Sequence, residues 1–133
     1  NSYMEDIKIT QKKNGKEQWM LSAKKAIFID NKDIELSDLK MVFPERGLTV
    51  TSIKGLYNID NRNLEIKGNI DASTDQYNIK TESLLWDSSK NEIYSDERVQ
   101  IQGKSFFVEG DILTATEDKA RLNKNVRAVF NGK

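Results

Sequence analysis

The sequence predicts an all-β fold assembled from about four repeats of roughly 29 residues. Three observations carry that prediction. A short phrase recurs at fixed spacing, apolar residues alternate with period two around each recurrence, and polar turn clusters separate the alternating stretches.

The phrase is anchored on Leu21, Val50, Ile79 and Val108, each 29 residues from the next. Two residues before each anchor stand Trp19, Leu48, Tyr77 and Phe106, all large, and two after it stand Ala23, Ser52, Thr81 and Gly110, all small. Five after the anchor come Ala26, Gly55, Leu84 and Leu113. A further apolar column holds Leu36, Leu64, Ile93 and Leu122, and another, with drifting spacing, holds Val42, Ile70, Val99 and Val126. Self-similarity at a fixed period marks a repeat architecture, in which each unit buries its apolar face against its neighbours.

The elements follow in order. Ile7 and Ile9 alternate into Asn14-Gly15, the preferred pair for a tight hairpin turn, so residues 6–12 and 17–23 are expected to pair antiparallel. Each anchor then sits in a half-buried strand, with Met20, Ser22, Thr49, Thr51, Asn78, Lys80, Phe107 and Glu109 on the opposite face. The clusters at 30–33, 60–63, 87–91 and 116–120 are rich in Asp, Asn and other polar residues, which favour turns by bonding nearby backbone and tolerating left-handed geometry. The single proline, Pro44, marks a loop between units. No stretch combines helix caps with a 3.6-residue apolar stripe. Two architectures suit such repeats, a parallel β-solenoid and an open antiparallel roll of two curved sheets. The Asn-Gly hairpin and the tight turns favour the roll, whose unpaired edge strands then require a reason.

Composition narrows the function. Residues 1–133 have the length of a single domain, and with 37% hydrophobic and 32% charged residues they describe a thin body with much surface. Lysine and arginine number 21, as do aspartate and glutamate, so there is no basic footprint for nucleic acid. No apolar run approaches the ~20 residues of a membrane-spanning helix. The chain has neither histidine nor cysteine, which removes Ser-His-Asp, Cys-His and thiolate or imidazole metal sites. Asp30, Asp33, Asp60, Asp87 and Asp118 fall in turns, where a solvated turn role outweighs acid–base work, and the Asp30-Asn31-Asp33 trio lacks the spacing of a dedicated calcium loop. No metal, no cofactor and no catalysis are expected. Trp19, Phe28, Tyr57 and Trp86 lie on repeat columns and are read as packing rather than stacking platforms.

The stretch from Tyr3 to Ala26, "YMEDIKITQKKNGKEQWMLSAKKA", resembles the opening of the LptC family, the periplasmic part of the bacterial lipopolysaccharide exporter. "VTSIKGLYNIDNRNLEIKGNIDA" from Val50, "IKTESLLWDSSKNEIYSDERVQIQG" from Ile79 and "VEGDILTATEDKARLNKNVRAVF" from Val108 are similar to its later units, in the same order. The bridge protein LptA shares the repeat, while the opening phrase favours LptC. An LptA-like bridge protein and a β-solenoid carbohydrate-binding or adhesin module are the alternative readings.

The resemblance implies a twisted antiparallel β-jellyroll of two sheets, open as a groove for lipid acyl chains. It also implies a membrane-spanning helix upstream of Asn1 that anchors a periplasmic domain to the inner membrane. Expected groove residues are Trp19, Leu21, Leu48, Val50, Leu64, Ile70, Tyr77, Ile79, Phe106 and Val108, with sugars and phosphates left near Lys54 or Lys80. The resemblance further implies membrane subunits of the ABC transporter at the N-terminal edge, around Ile7 and Ile9. It implies an LptA-like bridge protein at the C-terminal edge, around Asn125, Val126, Ala128 and Phe130. Gly103 and Gly110 match family glycines and are expected to be structurally demanding.

Overall fold

The computed structural model describes residues 3–131; positions 1, 2, 132 and 133 of the expected domain lie outside them. Nine strands pair strictly with their sequence neighbours, every pair antiparallel, in the order β1-β2-β3-β4-β5-β6-β7-β8-β9. They are β1 Tyr3–Lys13, β2 Lys16–Phe28, β3 Asp33–Phe43, β4 Leu48–Asn58, β5 Leu64–Ser73, β6 Tyr77–Asp87, β7 Glu92–Gly103, β8 Phe106–Ala115 and β9 Ala120–Phe130. The parallel solenoid is thereby excluded. Each 29-residue repeat is one hairpin, with the four anchors on β2, β4, β6 and β8.

The first hairpin closes as the Asn-Gly pair predicts. Lys13 faces Lys16, and Asn14 and Gly15 both take positive φ (55° and 77°), the geometry that matches the twist of the flanking strands. Pro44 opens a single 3-10 turn, Pro44–Arg46, that ends on Gly47 at a left-handed φ of 61°. Asp30 Oδ1 accepts the amides of Lys32 (2.7 Å) and Asp33 (2.8 Å). These bonds hold the Asp30 carboxyl below its usual range, so its work is that of a turn former.

One hydrogen-bonded sheet nevertheless makes two layers. Met20 faces Val42 and Phe43 faces Leu48, which sets Trp19 level with the start of β4. Tyr57 lies near the other end of β4, an 11-residue strand that would span roughly 35 Å if straight. Yet the Trp19 and Tyr57 rings meet edge to face at 6.2 Å, and Phe43 meets Trp86 at 4.9 Å. Such contacts require the sheet to fold over so that its two halves face each other.

The bend is written into the repeat. Inward residues run Leu48, Val50, Ser52 and then skip to Gly55 and Tyr57, and beside that step the register with β5 slips between Thr51 and Lys54. Similar slips occur at Lys67/Ile70, Lys80/Leu85, Ser95/Arg98 and Glu109/Asp111. A bulge of this kind adds a residue and sharpens the local turn of the strand. The small column occupies the corner, where its hydroxyls satisfy carbonyls that the bulge releases. Ser52 Oγ donates to Lys67 O (2.9 Å) or Gly68 O (3.1 Å), and Thr81 Oγ1 donates to Arg98 O (2.9 Å). Left-handed backbone clusters at the same level, at Asp38, Gly68, Asn69, Ile112 and Asn125. For Ile112, β-branched at φ 64°, that geometry costs on the order of 1–3 kcal/mol.

The core between the layers contains Trp19, Leu21, Leu36, Leu39, Leu64, Ile70 and Val99 among its most deeply buried members. Two sequence readings are corrected. Val42 points outward, since Met41 and Phe43 are the buried residues of that stretch. The β3 counterpart of Ile70 and Val99 is Leu39, which faces Ser52 as they face Thr81 and Gly110. The β3–β4 turn, Pro44–Gly47, is longer than the others on its side and sets Leu39 two residues farther from Ser52 than Ile70 stands from Thr81. Phe28, although on a repeat column, is 36% exposed at a strand end.

Candidate functional site

The strand ends form two rims. The first carries the turns at 14–15, 44–47, 74–76 and 104–105, and the second those at 29–32, 59–63, 88–91 and 116–119. Because the layers cross at a skew, the rims meet out of step, and the β3–β4 turn reaches the β6–β7 turn. Arg46 Nη2 donates to the carbonyl (3.0 Å) and Oδ1 (3.1 Å) of Asn91, and Gln18 Nε2 donates to the same Oδ1 at 3.4 Å. Asn91 Nδ2 in turn donates to Glu117 at 2.9 Å. The Arg46 guanidinium carbon lies 5.3 Å from the Phe43 ring centroid and 5.6 Å from that of Trp86. The roll is clasped shut here.

Beyond the clasp, toward the C-terminal end, the layers part around a cavity of about 540 Å³. Leu48, Val50, Ile79, Leu84, Ile93 and Ile101 supply aliphatic wall. Tyr77 and Phe106 frame its mouth from one rim and residues 116–119 from the other. Its volume lies within the ~300–1,000 Å³ of small-molecule sites.

The last strand leaves that end open. Among the described residues β9 pairs only with β8, and nearly its whole length is exposed, with Val126 at 52% and Phe130 at 74%. It is held instead from the outer face. Arg98 Nη1 donates to Asp111 and to the Asn125 carbonyl (both 3.1 Å), and Arg127 Nε donates to Glu109 at 2.9 Å. The Glu109 carboxyl is lowered chiefly by Arg127, and that of Asp111 by Asn125 and then Arg98.

The expected groove residues divide by depth. Leu48, Val50, Tyr77, Ile79 and Phe106 line the cavity. Trp19, Leu21, Leu64 and Ile70 lie in the sealed core, and Val108 is half-buried between Ile101 and Ala128. On β1, Ile7 and Ile9 are half-buried against the core beside an open edge. Asn125, Val126, Ala128 and Phe130 are exposed on β9.

Neither Lys54 nor Lys80 lines the cavity. Lys80 lies 3.9 Å from Asp71 and is largely exposed. Cations at the cavity are Arg46 and Lys119, which sequence reasoning passed over. The only hint of Arg46 was its place beside the single proline.

The two glycines differ in what a side chain would meet. A Cβ at Gly103 would run into the Phe106 ring at the cavity mouth. At Gly110 a Cβ would press on Val126 Cγ2 (3.1 Å), Leu122 Cβ (3.3 Å) and Lys124 O (3.3 Å), beneath β9. Gly103→Arg is expected to impair docking at the C-terminal end more than stability. Gly110→Arg, a large cation forced among packed groups, is expected to give the larger fall in melting temperature. Thermal melts with the opposite ranking would overturn this assignment.

A family model described as "Lipopolysaccharide-assembly, LptC-related" matches residues 1–131 of the 133. No curated protein matches the chain.

Proposed function

This chain belongs to the LptC family of lipopolysaccharide-assembly proteins, and from that membership we propose that its roll is a passive conduit for lipopolysaccharide. The family gives the chain a part in lipopolysaccharide transport and a periplasmic domain. In the finer reading, a helix upstream of Asn1 anchors the protein in the inner membrane. β1 receives the lipid from the membrane subunits of the ABC transporter, and β9 passes it to an LptA-like bridge protein. Both hand-overs proceed by edge-to-edge strand pairing, which uses main-chain hydrogen bonds that an edge strand leaves unmade.

The cavity is the observation that carries this reading. Its walls between the layers are largely aliphatic, with charged residues gathered at its mouth, and it lies toward the end where β9 is exposed. Each methylene transferred from water is worth about 0.8 kcal/mol, so acyl chains bind there without directional contacts. Loose selectivity of that kind suits a conduit that must also release its cargo.

The test is a photo-crosslinking residue placed at Leu48 or Tyr77, which line the cavity, and in parallel at Thr49 or Asn78, which alternate to the outer face. Lipopolysaccharide adducts are expected from the first pair and not from the second. Equal labelling from both faces would mean that lipid coats the surface, and the conduit reading would fail.

A further inference from the structure

We propose that Trp86 is the inner wall of the cavity and sets how far an acyl chain can enter, tail first, from the open end. The inference rests on the lipid-conduit reading above and adds a length limit to a site otherwise indifferent to its cargo.

The limit comes from one row of paired residues that crosses the inner face of the sheet. Ile34 pairs with Tyr57, Tyr57 with Leu64 and Leu64 with Trp86, and the row continues through Ile93 to Ala115 and Ala120. From Ile34 to Trp86 its members are bulky and buried. After Trp86 they shrink, and Ile93, Ala115 and Ala120 all line the cavity. Tyr57, Trp86 and Ala115 hold the same place in successive 29-residue repeats, so the side chain at that place decides where room begins. The interior opens where alanine replaces an aromatic ring.

Trp86 is braced from the opposite layer. The Phe43 ring meets it edge to face at 4.9 Å, and the Arg46 guanidinium lies over both rings. Val50, Leu84 and Ile93 line both the cavity and a void of about 20 Å³ whose further walls include Phe43, Leu64 and Trp86. That void has room for one small group, and its apolar lining suits the terminal methyl of a chain. The indole Nε1 of Trp86 has no hydrogen-bond partner among the described residues, so the ring supplies bulk here and no polar contact. The clasp of Arg46, Asn91 and Glu117 closes the seam beside the same rings. A chain end that arrives there meets a wall and finds no side exit. At the mouth, Asp118 and Lys119 stand with Tyr77 and Phe106, where a headgroup stays in water.

Binding is measured by calorimetry with lysophosphatidylcholines of increasing acyl length, each below its micelle concentration. In the wild-type protein, affinity is expected to rise by about fourfold per added methylene, then to level off at the chain whose end reaches Trp86. Trp86→Leu is expected to move that break to a longer chain, so that the first length beyond the wild-type break gains about fourfold. Trp86→Phe, which keeps a ring against Phe43, should move it less, and it serves if the leucine variant does not fold. A second measurement leaves the wall intact. In Trp19→Phe the only tryptophan left is Trp86, and an acyl chain brominated at its terminal carbon should quench it more than one brominated beside the carbonyl.

Affinity that climbs without a break, or a break that neither Trp86 variant moves, would overturn the proposal while the conduit stands. Equal or stronger quenching from the carbonyl-side bromine would do the same. If the wild-type protein binds no chain of any length, the proposal falls. Crosslinking of lipopolysaccharide at Leu48 then decides separately whether the conduit reading stands.

Discussion

Removing residues 125–133 is expected to abolish capture of the bridge protein while the rest of the roll stays folded. Residues 132 and 133 lie outside the described structure, so the effect is assigned to the strand up to Phe130. That strand segment touches the body through β8 and through the Arg98 and Arg127 contacts, and it contributes no fully buried side chain. Its loss therefore forfeits exposed charge pairs, individually worth ~0–1 kcal/mol, and one strand of ladder. Docking loses its template altogether. A pull-down with the bridge protein, paired with a circular-dichroism melt of the truncated domain, reads both quantities. Undiminished pull-down would show that the partner docks elsewhere, whereas a collapsed melt would show that β9 belongs to the core.

Trp19→Ala is expected to cost about 3–5 kcal/mol, the range for deleting a large buried ring. That is a substantial part of the ~5–15 kcal/mol that a domain of this size possesses. Trp19 is fully buried and joins the layers through Tyr57, so its removal leaves a void where the bent halves of the sheet are pinned together. Trp19→Phe should cost far less, because it keeps most of the apolar ring and removes an indole N–H that has no hydrogen-bond partner among the described residues. Phe28→Ala, at the exposed strand end, should cost no more than about 1 kcal/mol, as surface changes do. Urea denaturation of the three variants decides the matter. A Trp19→Ala penalty no larger than that of Phe28→Ala would contradict the two-layer packing.

Strand content, antiparallel hairpins and the face of most anchors were legible because period-two alternation and turn chemistry are local signals. The corner was half legible. The step from Ser52 to Gly55 breaks the alternation where the strand bends, although Val42 does not belong to its column because the longer β3–β4 turn, Pro44–Gly47, sets Leu39 two residues farther from Ser52 than Ile70 stands from Thr81. The division of the groove residues was not legible. Leu64 and Leu48 look alike in a repeat, but one lies in the sealed core and the other lines the cavity, according to how far the layers have diverged. Arg46 escaped for the same reason. Its partner Asn91 is 45 residues away, and only the skew between layers brings their turns together.

Strictly sequential pairing also bears on how the chain folds. Each strand finds its hydrogen-bonding partner across a short turn, so the entropy of loop closure stays small at every step. Nucleation at one hairpin and zipping to the next is the route this favours, as in other nearest-neighbour arrays. Amide exchange should then be slowest in β3 to β5, whose side chains fill both layers, and fastest in β9. The same arithmetic makes length an adjustable quantity. Inserting or deleting one 29-residue hairpin would change how far the roll reaches and leave its cross-section alone.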